Sequence, residues 1–187
     1  MDLFTAIDTR SSSIKLVEPG PTRAQIERII AAAVRAPDHG KLAPWRFAVL
    51  TGSARTIFGN AMALALKAAL PTVSETQLTA ERDKPLRAPA VIAVAAHLTR
   101  NHKVPESEQV QAVAAAVQNM FLAAHALGLG VMWKTGKAAE ASIVKQALGF
   151  NQDDVIVAFL YLGTNAVPGP QRILNTEGLV HWIDATS

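Results

Sequence analysis

The sequence contains no cysteine among its 187 residues. The chain therefore cannot form a disulfide, bind a metal through thiolates or use a cysteine nucleophile. Charged residues are also scarce, at 18% against an average of about 25% in globular proteins, and no long run of like charges occurs. A net charge of +3 spread in this way argues against a nucleic-acid-binding protein. The 50% hydrophobic content favours burial of surface in an oligomer.

Signals for export or membrane insertion are also lacking. The N-terminal segment 1–10 has no basic stretch followed by an apolar one, so we expect no signal peptide and a cytoplasmic protein. The most apolar segment, 110–132, is interrupted by polar residues that include Gln118 and His125. Its apolar runs are far shorter than the roughly 18 to 20 residues that a bilayer span requires. This segment is predicted to be a buried central helix.

Helical and strand patterns alternate along the chain. The apolar spacing predicts helices over 2–8, 22–36, 53–70, 105–127 and 139–148, and strands over 46–51, 90–96, 130–133 and 154–163. Thr22 and Gln25 have the spacing of a capping box at the start of the second helix. The polar segment 72–84 supports no firm assignment. The alternation predicts one three-layer α+β or α/β domain.

Several familiar catalytic motifs are absent. The glycines of "GLG" at 128–130 close a helix and open a strand, whereas a dinucleotide-binding loop follows a strand and opens a helix. Gly128 is therefore predicted to be a helix cap. The five histidines show no pair at metal-ligand spacing, so no metal site is expected. No G-x-S-x-G motif is present, which argues against a serine hydrolase of that type.

Three polar turns remain, each at the end of a predicted element: "RSSS" at 10–13, "RAPDHGK" at 35–41 and "WKTG" at 133–136. Together they offer arginine, lysine and hydroxyl groups, which bind phosphate monoesters and polar ring edges. Taken singly, each turn is more typical of a solvent-exposed loop than of a binding site.

Four motifs in this order, "RAPDHGKLAPWRF", "NHKVP", "QNMFLAAHALGLGVMWKTG" and "FLYLG", resemble the nitroreductase family of FMN flavoproteins, in particular its short single-domain branch. The resemblance covers 1–163. It implies an α+β fold, a three-layer α/β/α arrangement with a mixed, mainly antiparallel central sheet surrounded by helices. It also implies one FMN-binding domain over 1–187 and an intertwined homodimer, with the tail 164–187 packed on the partner subunit. Packing of the tail on its own domain stays an open alternative.

The resemblance further implies two FMN sites at the dimer interface, each built from both subunits. The positions that it assigns to FMN contact are Arg10, Ser11 and Ser12 in the flavin-binding turn, Trp133, Lys134 and Thr135 at a strand end, and Arg35 and His39 reaching from the other subunit.

The sequence departs from the family pattern at two of these turns. A second basic residue, common four positions after the first arginine, is replaced by Ile14, with Lys15 next. Lys41 stands where the family has an amide, and we expect it to contact the flavin ring with a full charge. His102 and Lys103 are candidates for contact with a substrate or the nicotinamide phosphate, although a plain loop explains them as well.

The function implied by the resemblance is an FMN-dependent NAD(P)H oxidoreductase. NAD(P)H would reduce FMN and leave, and a nitroaromatic, quinone or other electron-poor acceptor would then take the hydride in a ping-pong cycle. No catalytic side chain is expected, because flavin N5 carries the hydride. The alternatives are a specialised flavin enzyme of the same fold, dehalogenase-like or oxygen-dependent, and a flavin-binding protein with little turnover. Arg172 is a weaker candidate for phosphate binding.

Overall fold

The structure, a computed structural model, describes residues 1–170 and 175–183. Helices and strands alternate along these residues. The helices are α1 (Leu3–Thr9), α2 (Arg23–Ala33), α3 (Ala54–Ala69), α4 (Glu75–Arg82), α5 (Glu106–Ala126) and α6 (Ser142–Ala147). The strands are β1 (Lys15–Val17), β2 (Trp45–Thr51), β3 (Ala90–Ala96), β4 (Gly130–Lys134) and β5 (Val155–Val167). Short 3₁₀ turns cover His39–Lys41, Lys84–Arg87 and Lys137–Ala139.

Strand β5 organises the sheet. It pairs with β3 along 155–162, with β4 along 159–163 and with β1 along 164–167, and β2 pairs with the other edge of β3. Every pairing within 1–170 and 175–183 is antiparallel. The sheet predicted to be mixed and mainly antiparallel is therefore wholly antiparallel over the described residues.

Helices cover both faces of this sheet. All seven residues of β3 are buried, because its alternate side chains enter two different cores. One core joins β3 and β5 to α2 and α5, and the other joins them to α3 and α6. In the second core, the rings of Phe58 and Phe159 lie 4.9 Å apart between centroids. The predicted α+β fold with three layers is confirmed.

Local signals in the sequence explain two helix boundaries. At the start of α2, Thr22 and Gln25 form the predicted capping box. At the end of α5, Gly128 has a φ of 76°, in the left-handed region, where a side chain would be strained. The amide of Leu129 donates to the carbonyl of Ala124 at 2.9 Å, which completes the hydrogen bonding of a Schellman cap.

Two elements were not predicted. Helix α4 begins with a second capping box, formed by Ser74 and Gln77, so a usable signal was present in the unassigned segment. Strand β1 has only three residues, and its extended form depends on pairing with β5. The predicted helix over 139–148 is shorter, because only 142–147 are α-helical.

The tail leaves the sheet beside the first polar turn. A Cβ atom on Gly169 would lie 2.2 Å from the carbonyl oxygen of Ser12, so the two backbones pack closely. Further on, Trp182 and Ile183 are 80% and 88% exposed within the subunit. Arg172 and the segment 184–187 lie outside the described residues.

None of the helices in the described ranges is long and apolar enough to cross a bilayer. The longest, α5, packs against the sheet and α2, and its buried side chains include polar and small ones.

Candidate functional site

The turn "RSSS" is fixed to the start of β4 by its last serine. The Ser13 amide donates to the carbonyl of Val131 at 2.8 Å, and the Val131 amide donates to Ser13 Oγ at 3.0 Å. Ser13 is 2% exposed, so these bonds are shielded from water. The turn that precedes Ser13 is therefore held at one end of β4, while Lys134 lies at the other end, about 10 Å away at the usual rise per residue.

A smaller cavity of 310 Å³ opens beside this turn. Its walls include Ser11, Phe121, His125, Asn165 and Gly169. The Arg10 guanidinium lies 4.8 Å from the centroid of the Phe121 ring, and such a cation–π contact orients the charged group. The Ser11 hydroxyl and the Asn165 amide line this cavity, and the Arg10 guanidinium lies against Phe121 in its wall. These groups can donate hydrogen bonds to an anionic group.

The hydrogen bonds of His125 determine its tautomer. Thr9 Oγ1 donates to the carbonyl of Thr5 at 2.6 Å, so its single proton is used. His125 Nε2 lies 2.9 Å from Thr9 Oγ1 and must therefore be the donor in that contact. Burial, and then the nearby charge of Arg10, lower the pKa of His125. The ring is accordingly neutral near pH 7, and Arg10 supplies the positive charge here.

A larger cavity of 780 Å³ lies on the sheet face that α3 covers. Its apolar wall is formed by residues of α3, β4 and β5, which include Met62, Leu66, Met132 and Phe159. At one end are Lys134, which is the last paired residue of β4, and Thr135 and Gly136, which follow it. The volume and the largely apolar walls are those of a small-molecule site.

Cations outnumber anions around the larger cavity. The charged side chains that line it are Glu81, Lys84, Arg87, Lys134, Lys137 and Glu140. Lys84 is paired with Glu81, so its charge is largely balanced within the protein. Within 1–170 and 175–183, the side chains of Arg87, Lys134 and Lys137 form no ion pair.

Tyr161 is a buried polar residue in the same cavity. It is 7% exposed, and burial raises the pKa of its phenol to about 12, with opposing effects from Arg87 and Glu81. The hydroxyl forms no hydrogen bond with the part of the chain that the structure describes, yet it is not a sealed unsatisfied group. Tyr161 therefore presents a protonated donor to the cavity across the physiological pH range.

The shifted pKa of Tyr161 predicts a loss of stability in alkali. The unfolded chain loses the phenol proton near pH 10, whereas the folded chain keeps it until about pH 12. The contribution of Tyr161 to the free energy of unfolding is therefore fully present below about pH 10 and decreases above it. Between pH 9 and pH 11, the free energy of unfolding of the wild type should fall by about 1 kcal/mol more than that of Tyr161→Phe. Urea titrations at both pH values measure this, and equal losses would contradict it.

The other predicted residues lie in different surroundings. Lys134 and Thr135 line the larger cavity. The Trp133 indole points to the opposite face, packs against the α2–α5 core and donates to the Val157 carbonyl at 3.2 Å, so Trp133 does not line the larger cavity. Ser12 is exposed and makes its close contact with Gly169 through its carbonyl.

Arg35, His39 and Lys41 line neither cavity of the subunit. All three are exposed. His39 Nδ1 lies 2.6 Å from a carboxylate oxygen of Glu108 on α5, which holds the imidazole against that helix. Lys41 has a positive φ of 55°, a conformation imposed by the tight 3₁₀ turn.

The loop that carries His102 and Lys103 is also exposed. His102 Nδ1 accepts a hydrogen bond from the Val104 amide at 3.1 Å. Beneath the loop, the buried Gln109 side chain bonds to the backbone of Thr99 and Val104. Neither His102 nor Lys103 lines a described cavity.

Arg87 and Tyr161 were not predicted from the sequence to line the larger cavity, because no motif contains both residues. No group of three or more metal-ligating side chains occurs within the described ranges.

The chain is 39% identical over 165 residues to the Escherichia coli (strain K12) protein YdjA, which carries the provisional name of an NAD(P)H nitroreductase. The alignment covers 88% of each chain. Among solved structures, a nitroreductase-like family protein from Bacillus cereus superposes with a TM-score of 0.84 at 20% identity, covering 99% of this chain and 97% of that one.

A nitroreductase with bound FMN from Desulfitobacterium hafniense DCB-2 superposes with a TM-score of 0.71 at 20% identity, covering 98% of this chain and 100% of that one. The sequence model of the Nitroreductase family matches residues 7–164. The resemblance inferred from the motifs is confirmed, and the chain belongs to the Nitroreductase family.

Proposed function

We propose that this protein is an FMN-dependent NAD(P)H oxidoreductase of the nitroreductase type, acting on nitroaromatics, quinones or similar electron-poor acceptors. The observation that carries the proposal is the larger cavity, which is bounded by Lys134 and Thr135 at the end of β4 in a chain of this family. The names of its relatives include NAD(P)H as the reductant and FMN as a bound group. The chain 1–187 would act as one FMN-binding domain in the cytoplasm.

The residues present suit the two chemical ends of FMN. The phosphate is a dianion, and Arg10, Ser11 and Ser12 offer a cation and two hydroxyls at the turn beside the smaller cavity. Each charge-assisted hydrogen bond contributes about 1.5 to 3 kcal/mol. The isoalloxazine ring is flat and largely apolar, which suits the wall that contains Leu66 and Phe159.

When bound, FMN supplies the hydride chemistry between NAD(P)H and the acceptor. The protein residues bind and orient the reactants and restrict the access of water. Lys134 contributes positive charge at the end of β4, where it favours binding of electron-rich groups. NAD(P)H and the acceptor would occupy the same open face in turn, which makes the cycle ping-pong and requires no protein nucleophile.

We further propose a homodimer in which Arg35, His39 and Lys41 serve the site of the partner subunit. All three are exposed, and none lines either cavity of its own subunit, which favours this role. Large apolar side chains also remain exposed on the single subunit, including Phe4 at 74% and Trp182 at 80%. Such surface is typical of a protein interface, and the tail would pack on the partner there.

The dimer proposal predicts that Arg35→Ala weakens FMN binding about tenfold, because a charged contact would be lost. Arg28→Ala provides a matched control, since Arg28 is an exposed arginine on α2 that lines neither cavity. Flavin fluorescence titrations measure both affinities, and sedimentation equilibrium measures the assembly state. Unchanged FMN affinity in Arg35→Ala, or a monomeric wild type that binds FMN fully, would argue against shared sites.

The proposed activity is tested by an anaerobic absorbance titration of the protein with bound FMN. Addition of NADH or NADPH should bleach the flavin band, and a quinone or nitroarene should restore it. Bleaching by neither nucleotide would instead favour a specialised flavin enzyme or a flavin-binding protein with little turnover. Failure to bind FMN would overturn the site assignment.

A further inference from the structure

Tyr161 lies in the wall of the larger cavity, two residues along the sheet from the end of β4. The sheet register pairs Tyr161 with Met132 and Phe159 with Lys134. It also pairs Ala90, the first residue of β3, with Leu162. Arg87 precedes Ala90 by three residues and therefore lies on the side of Tyr161 that is opposite Lys134.

Arg87 carries a charge that the described residues leave unbalanced. Its neighbour Lys84 is paired with Glu81, but Arg87 forms neither an ion pair nor a side-chain hydrogen bond within 1–170 and 175–183. Arg87 and Tyr161 both line the larger cavity. A guanidinium and a phenolic donor in the wall of one cavity are suited to an oxygen atom that carries negative charge.

We propose that Arg87 and Tyr161 form an oxyanion-binding subsite inside the larger cavity, which recognises a negatively charged oxygen on a planar aromatic ligand. The proposal rests on the proposed function, which brings such ligands to this cavity. The proposed site of the FMN phosphate is Arg10 with Ser11, beside the smaller cavity, so we do not expect the phosphate at this subsite.

Two planar ligands of the proposed reaction can present such an oxygen. One is the reduced isoalloxazine ring, which gains negative charge on its pyrimidine oxygen. The other is an acceptor with a carboxylate substituent. The chemistry of recognition is the same in both, since a fixed cation and a neutral donor stabilise the charge, and the experiment separates the two sources.

The variants are Arg87→Gln and Tyr161→Phe, studied with FMN bound. Tyr161→Phe removes only the hydroxyl and keeps the ring that packs in the α3–α6 core, so folding should be retained. Arg28→Gln is the control, because this exposed arginine lines neither cavity. Far-ultraviolet circular dichroism verifies that each variant is folded.

The first readout is the flavin midpoint potential. If the reduced ring occupies the subsite, Arg87→Gln should weaken binding of reduced relative to oxidised FMN about tenfold, or about 30 mV for two electrons. The second readout is the ratio of kcat/KM for para-nitrobenzoate to that for nitrobenzene. If the acceptor carboxylate occupies it, Arg87→Gln should lower this ratio about tenfold with the potential unchanged. Tyr161→Phe should change the same readout in the same direction.

A third readout does not depend on turnover. Tyr161 is the only tyrosine in the chain, so incorporation of meta-fluorotyrosine gives a single fluorine resonance from the subsite. Reduction by dithionite or addition of para-nitrobenzoate should shift this resonance in the wild type and shift it less in Arg87→Gln. If FMN is bound but neither NADH nor NADPH reduces it, the proposed function fails while the resonance still tests the subsite. No change in potential, ratio or resonance would overturn the subsite.

Discussion

Replacing Arg10 by methionine should weaken FMN binding about ten- to hundredfold, because one charge-assisted bond to the phosphate contributes about 1.5 to 3 kcal/mol. Methionine keeps an unbranched apolar stem to pack against Phe121, which the guanidinium now covers. The change therefore removes the charge with little loss of packing. Titration of flavin fluorescence with the apoprotein measures the dissociation constant.

Riboflavin, which lacks the phosphate, provides the ligand control for this experiment. Its affinity should be nearly the same in the wild type and in Arg10→Met. Arg23→Met provides the protein control, since Arg23 is exposed and pairs with Glu27 on its own helix. Equal weakening of FMN and riboflavin would show that Arg10 does not act on the phosphate.

Replacing Gly59 by alanine should lower the free energy of unfolding by about 2 kcal/mol, although the same change in an open helix stabilises by about 0.5 to 1 kcal/mol. Gly59 lies within α3 where α4 crosses it, and an added Cβ atom would come within 2.0 Å of the Arg82 carbonyl oxygen. The obstacle is backbone, so α4 itself must move. The melting temperature should fall by about 4 to 8 °C.

The control for helix propensity is Asn60→Ala, at an exposed position of the same helix. This variant should be neutral or slightly more stable. Because Glu81 of α4 lines the larger cavity, Gly59→Ala should also weaken FMN binding. A Gly59→Ala protein that is more stable than the wild type would contradict the close packing of α3 against α4.

The sequence predicted the long elements because their signals are local. The capping box at Thr22 fixes the start of α2, and the αL conformation of Gly128 ends α5. The continuous apolar run of β3 indicated a strand buried on both faces, as found. Strand β1 carries no comparable signal, because three residues adopt an extended form only when β5 supplies their hydrogen bonds.

The candidate site was predictable only in part. The polar turns that contain Arg10 and Lys134 could be recognised in the sequence because each places charged and hydroxyl groups at the end of a predicted element. Tyr161 lies within the "FLYLG" motif, but no motif contains Arg87. Their place in the wall of one cavity depends on the pairing of β3 with β5, which no local pattern encodes.

The sequence by itself determined the family, the alternation of helices and strands, and the turns that we assign to FMN, because each depends on residues that are adjacent or one helical turn apart. Only the tertiary structure decided which side chains share a cavity. It left Arg35 and His39 outside the walls of both cavities of their own subunit, turned the Trp133 indole to the opposite face of the sheet, and placed Arg87 and Tyr161 in the wall of one cavity. The physical reason is that strand register and helix packing join residues distant in the chain, and these contacts form only when the whole core is assembled.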